Sequence, residues 1–395
     1  MSDETHEKLE EQKIVELLGQ LKDKKWSVRR DAIFELNETE DFRVIEGLIK
    51  LLKDRSHYVT HAAVATLSRF ENEIALETAI NFLENRNMDS YTRSIIAEIL
   101  GERKLERVTE LLFRLVADRT EDSVVRQGAM EGLSYYDETR VGKLLMKLFL
   151  DRTEDEEIRY KAVGLVGESQ IEESFEHLVL ALHDSSESSY IRSNVAYTLG
   201  VFDNLAAFEP LVAAVNDKDR LVRYWTVNAL GHLGDKRAVP LVTEVLKKDE
   251  DIGVRMTAAH ALEDLNDPRA IDPLISALKD KSSGVRRWAI YALLHLGEER
   301  VVPALLPMLK DKNSRVQTRA ATALGEFDDI SIIPALEALT KDKVVKSKKA
   351  QKVIDEANQA IEKIMEREGL RLERAKNEWD FAATNRVLSG AGGRI

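Results

Sequence analysis

The residues of this chain best equipped for chemistry at a surface are aromatic and cationic, and they recur in step. Tyr160 and Lys161 are followed by Asn194 and Tyr197, then by Tyr224, Trp225 and Asn228, then Thr257 and His260, then Arg287, Trp288 and Tyr291, and last Arg319. Large rings beside arginine combine rigid apolar area with a directional donor, the usual makings of a protein-binding hot spot. Covalent chemistry has little to work with. There is no cysteine, which excludes disulfides, thiolate nucleophiles and zinc sites built on Cys. No phosphate-binding loop, nucleophile elbow or dinucleotide fingerprint occurs, and the final Gly-Ala-Gly-Gly follows no predicted strand. We assign no catalytic residue, no metal ligand and no cofactor.

A second group is basic. Lys343, Lys346, Lys348, Lys349 and Lys352 occur with no acid between them. Together with Lys161, Arg287 and Arg319 they would suit a nucleic-acid backbone, although such a run is usually a solvated helix face. The chain as a whole has 58 Lys and Arg against 70 Asp and Glu, a net charge of −12. That balance disfavours indiscriminate binding to nucleic acid or to an anionic membrane.

These residues are positioned by a repeat. Val28, Val59, Thr92, Val125, Ile158, Ile191, Val222, Val254, Val285 and Val316 are each followed eight positions later by Leu36, Leu67, Leu100, Leu133, Val166, Leu199, Leu230, Leu262, Leu293 and Leu324. The frames are 31 to 33 residues apart, a period that belongs to stacked helical or solenoid units. Few prolines and 6% aromatics, with abundant Ala, Leu, Glu and Lys, favour helix over strand. Each unit reads as two helices and two tight turns, with Pro210 near the start of a first helix and Gly231 and Gly234 near the end of a second. Offsets 0, +4, +5 and +8 of the second helix form the buried face; offsets +2, +3 and +6 face away from it. The aromatic and cationic residues sit at these outward offsets from the fifth unit onward, whereas the first four units are bland there apart from Phe34.

Two more columns recur. An aspartate closes the first helix (Asp23, Asp54, Asp118, Asp151, Asp184, Asp217, Asp249, Asp280, Asp311), and an arginine follows the zero position (Arg29, Arg93, Arg126, Arg159, Arg192, Arg223, Arg255, Arg286). An anion-binding arginine stripe is one reading. The regular recurrence and the nearly equal numbers, nine and eight, favour the other, a structural ladder in which each aspartate caps a helix and pairs with an arginine of its own or the next repeat.

The stretches DKDRLVRYWTVNALGHLGD, DIGVRMTAAHALEDLND, DKSSGVRRWAIYALLHLGEE and DKNSRVQTRAATALGEFDD resemble the HEAT repeat, especially the phycobilisome-lyase-like HEAT group. The resemblance covers about residues 13–340 and implies an all-α fold, a right-handed alpha-alpha superhelix of about ten to eleven repeats. Residues 1–22 are expected to be a charged lead-in and cap helix, 341–388 C-terminal capping helices carrying Trp379 and Phe381, and 389–395 (SGAGGRI) a flexible tail. The chain lacks a signal peptide or a run of apolar residues long enough for a membrane span, so a cytoplasmic protein without a membrane partner is expected.

Some HEAT-like proteins are enzymes. Deoxyhypusine hydroxylase is similar in its repeats but needs His-Glu pairs on successive helices to hold two irons, and here His-Glu occurs only at His6-Glu7. HEAT-like DNA glycosylases place aromatics and an aspartate on a basic surface; Trp225 and Trp288 would supply rings, but the outward offsets of their helices supply no aspartate. Bilin lyase subunits share only scaffold residues with this chain. The expected function is therefore a non-enzymatic scaffold or adaptor. It would hold a partner protein, or an extended segment of one, in the concave groove lined by second helices of its C-terminal half. Nucleic-acid or ribonucleoprotein binding through the basic segment 343–352 is the competing class, and a bilin-lyase-like subunit or chaperone the third. Exposure of Trp225 and Trp288 discriminates binding from packing between repeats: open rings favour docking, buried rings exclude it.

Overall fold

A computed structural model of the chain describes residues 3–39, 41–136, 139–202, 204–327, 329–341 and 348–367. Lys343, Lys346, Trp379, Phe381 and the SGAGGRI tail lie outside the described residues. Within them the chain forms twenty-two α-helices, some led by a short 3-10 turn, and no strand. The all-α helical-repeat fold expected from the sequence is the fold observed. Among the described residues no helix is long and apolar enough to cross a membrane.

The chain divides into two compact units, Met1–Phe175 and Glu176–Ile395. In the first, the second helices of the repeats are Trp26–Glu35, His57–Arg69, Ser90–Glu102, Ser123–Ser134 and Glu156–Glu168. In the second they are Ser189–Val201, Arg220–His232, Ile252–Asp264, Ser283–Leu296, Ser314–Leu324 and Lys348–Arg367. Within each unit consecutive second helices pack on one another, and the second helices other than Ser189–Val201 also pack on the first helix of their own repeat. The sequence period fades after Ile330, yet Ile333–Lys341 and Lys348–Arg367 still make a helix pair, with the longer helix packed on Ser314–Leu324.

The two apolar columns are buried throughout, except that Val28 is only half-buried. Full burial of each Val or Leu contributes about 1.5–3 kcal/mol, and the stacking of neighbours is what makes that burial available to a unit too small to hide its own stripe. Helix starts are capped by short polar side chains: Asp122, Asp155, Ser188, Asp219, Asp251, Ser282 and Asn313 accept backbone N–H bonds from the first turn.

These caps correct one expectation. The recurrent aspartate is not itself the helix cap; it closes the turn before it. Asp217, Asp249, Asp280 and Asp311 each accept the backbone N–H two residues on, at 2.6–2.8 Å, and the residue reached is the one that caps. The arginine column is buried apart from Arg29, which is half-buried and ion-paired, and this removes the anion-binding reading. Arg29, Arg192, Arg223, Arg255 and Arg286 each pair with the aspartate of the following repeat.

Glycine acts in two ways. Gly234 adopts φ +69° and ends its helix in the left-handed region, as expected. Gly231 lies inside the helix instead, where an added Cβ would fall 2.8 Å from the Ala261 Cα. It permits close approach of neighbouring second helices.

Candidate functional site

In the unit Glu176–Ile395 the buried zero positions Ile191, Val222, Val254 and Val285 fix the rotation of their helices. Offsets +3 and +6 of neighbouring repeats then meet on the opposite side. Rings gather there in two clusters. In one, Trp225 stands edge-on to Tyr197 and to Tyr224, with centroids 5.1 Å apart in each pair. In the other, Trp288 stands edge-on to His260 at 5.1 Å and to Tyr291 at 5.4 Å. Tyr291 also meets the His295 ring at 4.2 Å, and the Arg319 guanidinium lies over it at 5.3 Å. Edge-to-face contacts of this kind are worth about 0.5–1.5 kcal/mol beyond area burial.

Trp225 and Trp288 are half-buried, so neither extreme of the exposure criterion applies. One side of each ring packs on its neighbours and the rest stays at the surface. Tyr197 is the most open of the group, 41% exposed. Tyr224, Asn228, His260, Arg287, Tyr291 and Arg319 are half-buried on the same layer of helices. Asn194 is only 5% exposed and Thr257 is likewise buried; both offer nothing to a partner, because the helices close over their +3 positions. Tyr160 and Lys161 belong to the other unit, where the Lys161 ammonium pairs with Glu131 of the preceding repeat. Lys161 is thus already neutralised.

Of the basic segment, Lys348, Lys349 and Lys352 are exposed on the helix Lys348–Arg367. Lys349 and Lys352 join Arg287 and Arg319 around a depression of about 540 Å³. A smaller one of about 230 Å³ is lined by Arg287, Trp288, Tyr291 and Arg319. The sequence did not single out Arg315, which lines the larger depression. His295 was also missed; its Nδ1 lies 2.9 Å from Glu263 Oε1. Burial pushes the Glu263 carboxyl above its ordinary range, with His295 and His260 opposing that shift.

The first unit is not bland. Tyr58 is 53% exposed, Tyr91 64% and Phe34 60%. Trp26 stacks on Tyr58 at 5.0 Å, His61 on Tyr91 at 5.8 Å, and the Arg30 guanidinium lies 5.2 Å from the Trp26 ring centroid. The signal was in the sequence: Tyr58 and Tyr91 occupy offset −1, which on a helix of about 100° per residue points nearly the same way as +6. Among the described residues no three His, Asp or Glu side chains gather as metal ligands.

Comparison with known proteins locates the fold. A sequence profile of HEAT repeats matches residues 14–87, 76–164, 208–294 and 271–352. No curated protein matches the chain in sequence. Among solved structures, Kap95p, described as inducing the switch loops of RanGDP to adopt the GTP-bound conformation, is 12% identical with a TM-score of 0.60, covering 92% of this chain and 57% of that one. Kap121p bound to the extreme C-terminus of the protein phosphatase Cdc14p is 13% identical with a TM-score of 0.56, covering 89% and 45%. This chain thus spans about half the length of those karyopherins. The complex of CpcE and CpcF of phycocyanin lyase from Nostoc sp. PCC7120 is 20% identical over 55% of this chain and 94% of that one, with a TM-score of 0.37.

Proposed function

Since the chain belongs to the HEAT-repeat family, we propose that it is a non-enzymatic adaptor that holds an extended segment of a partner protein along the second-helix face of the unit Glu176–Ile395. One observation carries this reading. The clusters around Trp225 and Trp288 sit at positions the apolar core does not use, half-open to solvent, with Tyr197 open beside them. A core needs no ring there. A preformed row of rings on rigid helices loses little entropy when a segment docks on it. Kap121p, of similar fold, receives the extreme C-terminus of another protein, so an array of this kind is able to take a chain terminus. The cytoplasm is the compartment that suits an adaptor without cysteine or apolar span.

The test is capture of a partner by the full chain, followed by cross-linking. Capture should be lost in Tyr197→Ala/Trp288→Ala and kept in Tyr58→Ala/Tyr91→Ala. The reverse pattern would move docking to the other unit and overturn the proposal.

A further inference from the structure

The cations of the unit Glu176–Ile395 are of two kinds. Arg192, Arg223, Arg255 and Arg286 are each held by the aspartate of the next repeat, and Arg237, Arg269 and Arg300 by Asp235, Asp267 and Glu298. Arg287, Arg315, Arg319, Lys349 and Lys352 have no ion-pair partner among the described residues. All five line the depression of about 540 Å³ between the helices Ser283–Leu296, Ser314–Leu324 and Lys348–Arg367. An acid, Glu356, is in the wall, but it accepts a hydrogen bond from Thr322 Oγ1 at 2.9 Å and pairs with none of the five.

In a chain of net charge −12, five unneutralised cations around one hollow are the exception. Like charges so close repel one another, and the helices hold them there without mutual pairing. The arrangement relaxes when anions enter. Arg287 and Arg319 also line the adjoining hollow with Trp288 and Tyr291, so the cationic site continues into the ring cluster.

We infer that this depression binds an acidic peptide segment, with carboxylates on Arg287, Arg315, Arg319, Lys349 and Lys352 and a flanking apolar side chain against Trp288 and Tyr291. The inference rests on the proposed docking role and names the class of segment. Arginine presents a planar fork that fits a carboxylate with two parallel bonds. A nucleic acid fits less well. Single strands bind by laying bases on open ring faces, but here the Arg319 guanidinium lies over Tyr291 and Trp288 keeps only part of its surface open. Lys161, the cation of the other unit that a nucleic-acid reading would use, is paired with Glu131.

Fluorescence anisotropy of the full chain tests this with four labelled probes: a Glu- and Asp-rich peptide carrying one Leu, its Lys-rich counterpart, oligo(dT) and oligo(U). The acidic peptide should bind, and binding should weaken as salt shortens the Debye length below ~10 Å. Reversing three exposed charges, Arg315→Glu/Lys349→Glu/Lys352→Glu, should weaken it about tenfold to a hundredfold. A control reversal of two charges away from the hollow's lining, Lys279→Glu/Lys281→Glu, exposed in the turn before Ser283–Leu296, should change it less than about twofold. Equal melting of all variants separates binding from folding. No binding of the acidic peptide at low salt, equal losses in both charge variants, or tighter binding of either oligonucleotide would each overturn the inference. Acidic-peptide binding that responds to the charge variants, alongside partner capture indifferent to Tyr197→Ala/Trp288→Ala, would sink the docking-face proposal alone. Ring-dependent capture without acidic-peptide binding would sink this inference alone.

Discussion

Arg223 reaches out of its own repeat to Asp249 of the next, Nε to Oδ2 at 2.8 Å and Nη2 to Oδ1 at 3.1 Å, with the two side chains only 10% and 8% exposed. Its Nη1 also donates to the carbonyl oxygen of Asp217 at 3.0 Å, in the turn of its own repeat. One guanidinium therefore ties two turns together, and Asp249 in turn holds the N–H of Asp251. Removing one partner of a buried pair strands the other charge, which costs ~3–5 kcal/mol, whereas replacing both by apolar groups is often neutral. Asp249→Ala should therefore lower the unfolding free energy by about 3 kcal/mol, and Arg223→Met/Asp249→Leu should recover most of it. Urea unfolding of the three chains decides the matter; a single-variant loss below ~1 kcal/mol would mean the pair is a surface contact.

The ladder also sets the response to acid. Glu121 and Glu154 are held below the usual carboxylate range by hydrogen bonds from Arg93 and Arg126, against the opposing effect of burial. For Asp280 and Asp311 burial raises the pKa, but the bonds from Arg255 and Arg286 and from backbone N–H outweigh it and leave both lowered. A carboxyl lowered in the folded state binds fewer protons there than in the unfolded chain. Its stabilisation is present in full above the unfolded pKa of ~4 and fades as pH falls through the lower folded value. The melting temperature should hold steady from neutral pH to about 5 and drop steeply below about 4. Glu154→Gln should melt lower than wild type at neutral pH and converge on it in acid; a constant gap would deny the linkage.

Two glycines in the first unit should respond to alanine with opposite signs. At Gly101 an added Cβ would lie 2.3 Å from the Gly132 Cα and its carbonyl oxygen, because the helices Ser90–Glu102 and Ser123–Ser134 touch backbone to backbone. Gly101→Ala must push them apart and should cost about 1–3 kcal/mol. At Gly164, inside Glu156–Glu168, nothing lies within 4 Å of the new carbon. Gly164→Ala gains helix propensity and should stabilise by about 0.5–1 kcal/mol. Thermal melts of both variants give the signs directly.

The apolar columns and the arginine–aspartate pairing were legible because both follow a strict period. The ladder's two forms were also written in the spacing. Five residues separate Asp217 from Val222 and Asp249 from Val254, but seven separate Asp118 from Val125 and Asp151 from Ile158. The two extra residues move the aspartate out of reach, so Arg93 and Arg126 pair instead with Glu121 and Glu154, three residues further on, while Asp118 and Asp151 take Arg86 and Arg119. What the period did not reveal is how far a ring leans. Tyr197 and Asn194 lie three residues apart on one helix, yet one is open and the other buried, because helix-to-helix distance decides which outward offset the neighbour covers. The cationic hollow was illegible for a similar reason. Arg287, Arg315 and Lys349 come from three repeats, and only packing shows that they share a hollow whose lining acid, Glu356, pairs with none of them.

The half-burial of the tryptophans changes what their removal should do. With rings fully open, Trp225→Ala and Trp288→Ala would leave melting unchanged. Instead each indole makes two edge-to-face contacts, Trp225 with Tyr197 and Tyr224, Trp288 with His260 and Tyr291. Truncating a fully buried Trp costs ~3–5 kcal/mol, so about 2 kcal/mol is expected for each of these half-buried rings. The two clusters share no ring, so the double variant should lose close to the sum. Tyr197→Ala, with the most exposed ring of the group, should cost less than about 1 kcal/mol. That ordering, read from urea midpoints, makes Tyr197 the probe that tests docking without loosening the stack. If both tryptophan variants unfold with the wild-type midpoint, the rings are not part of the packing and their whole surface is available to a partner.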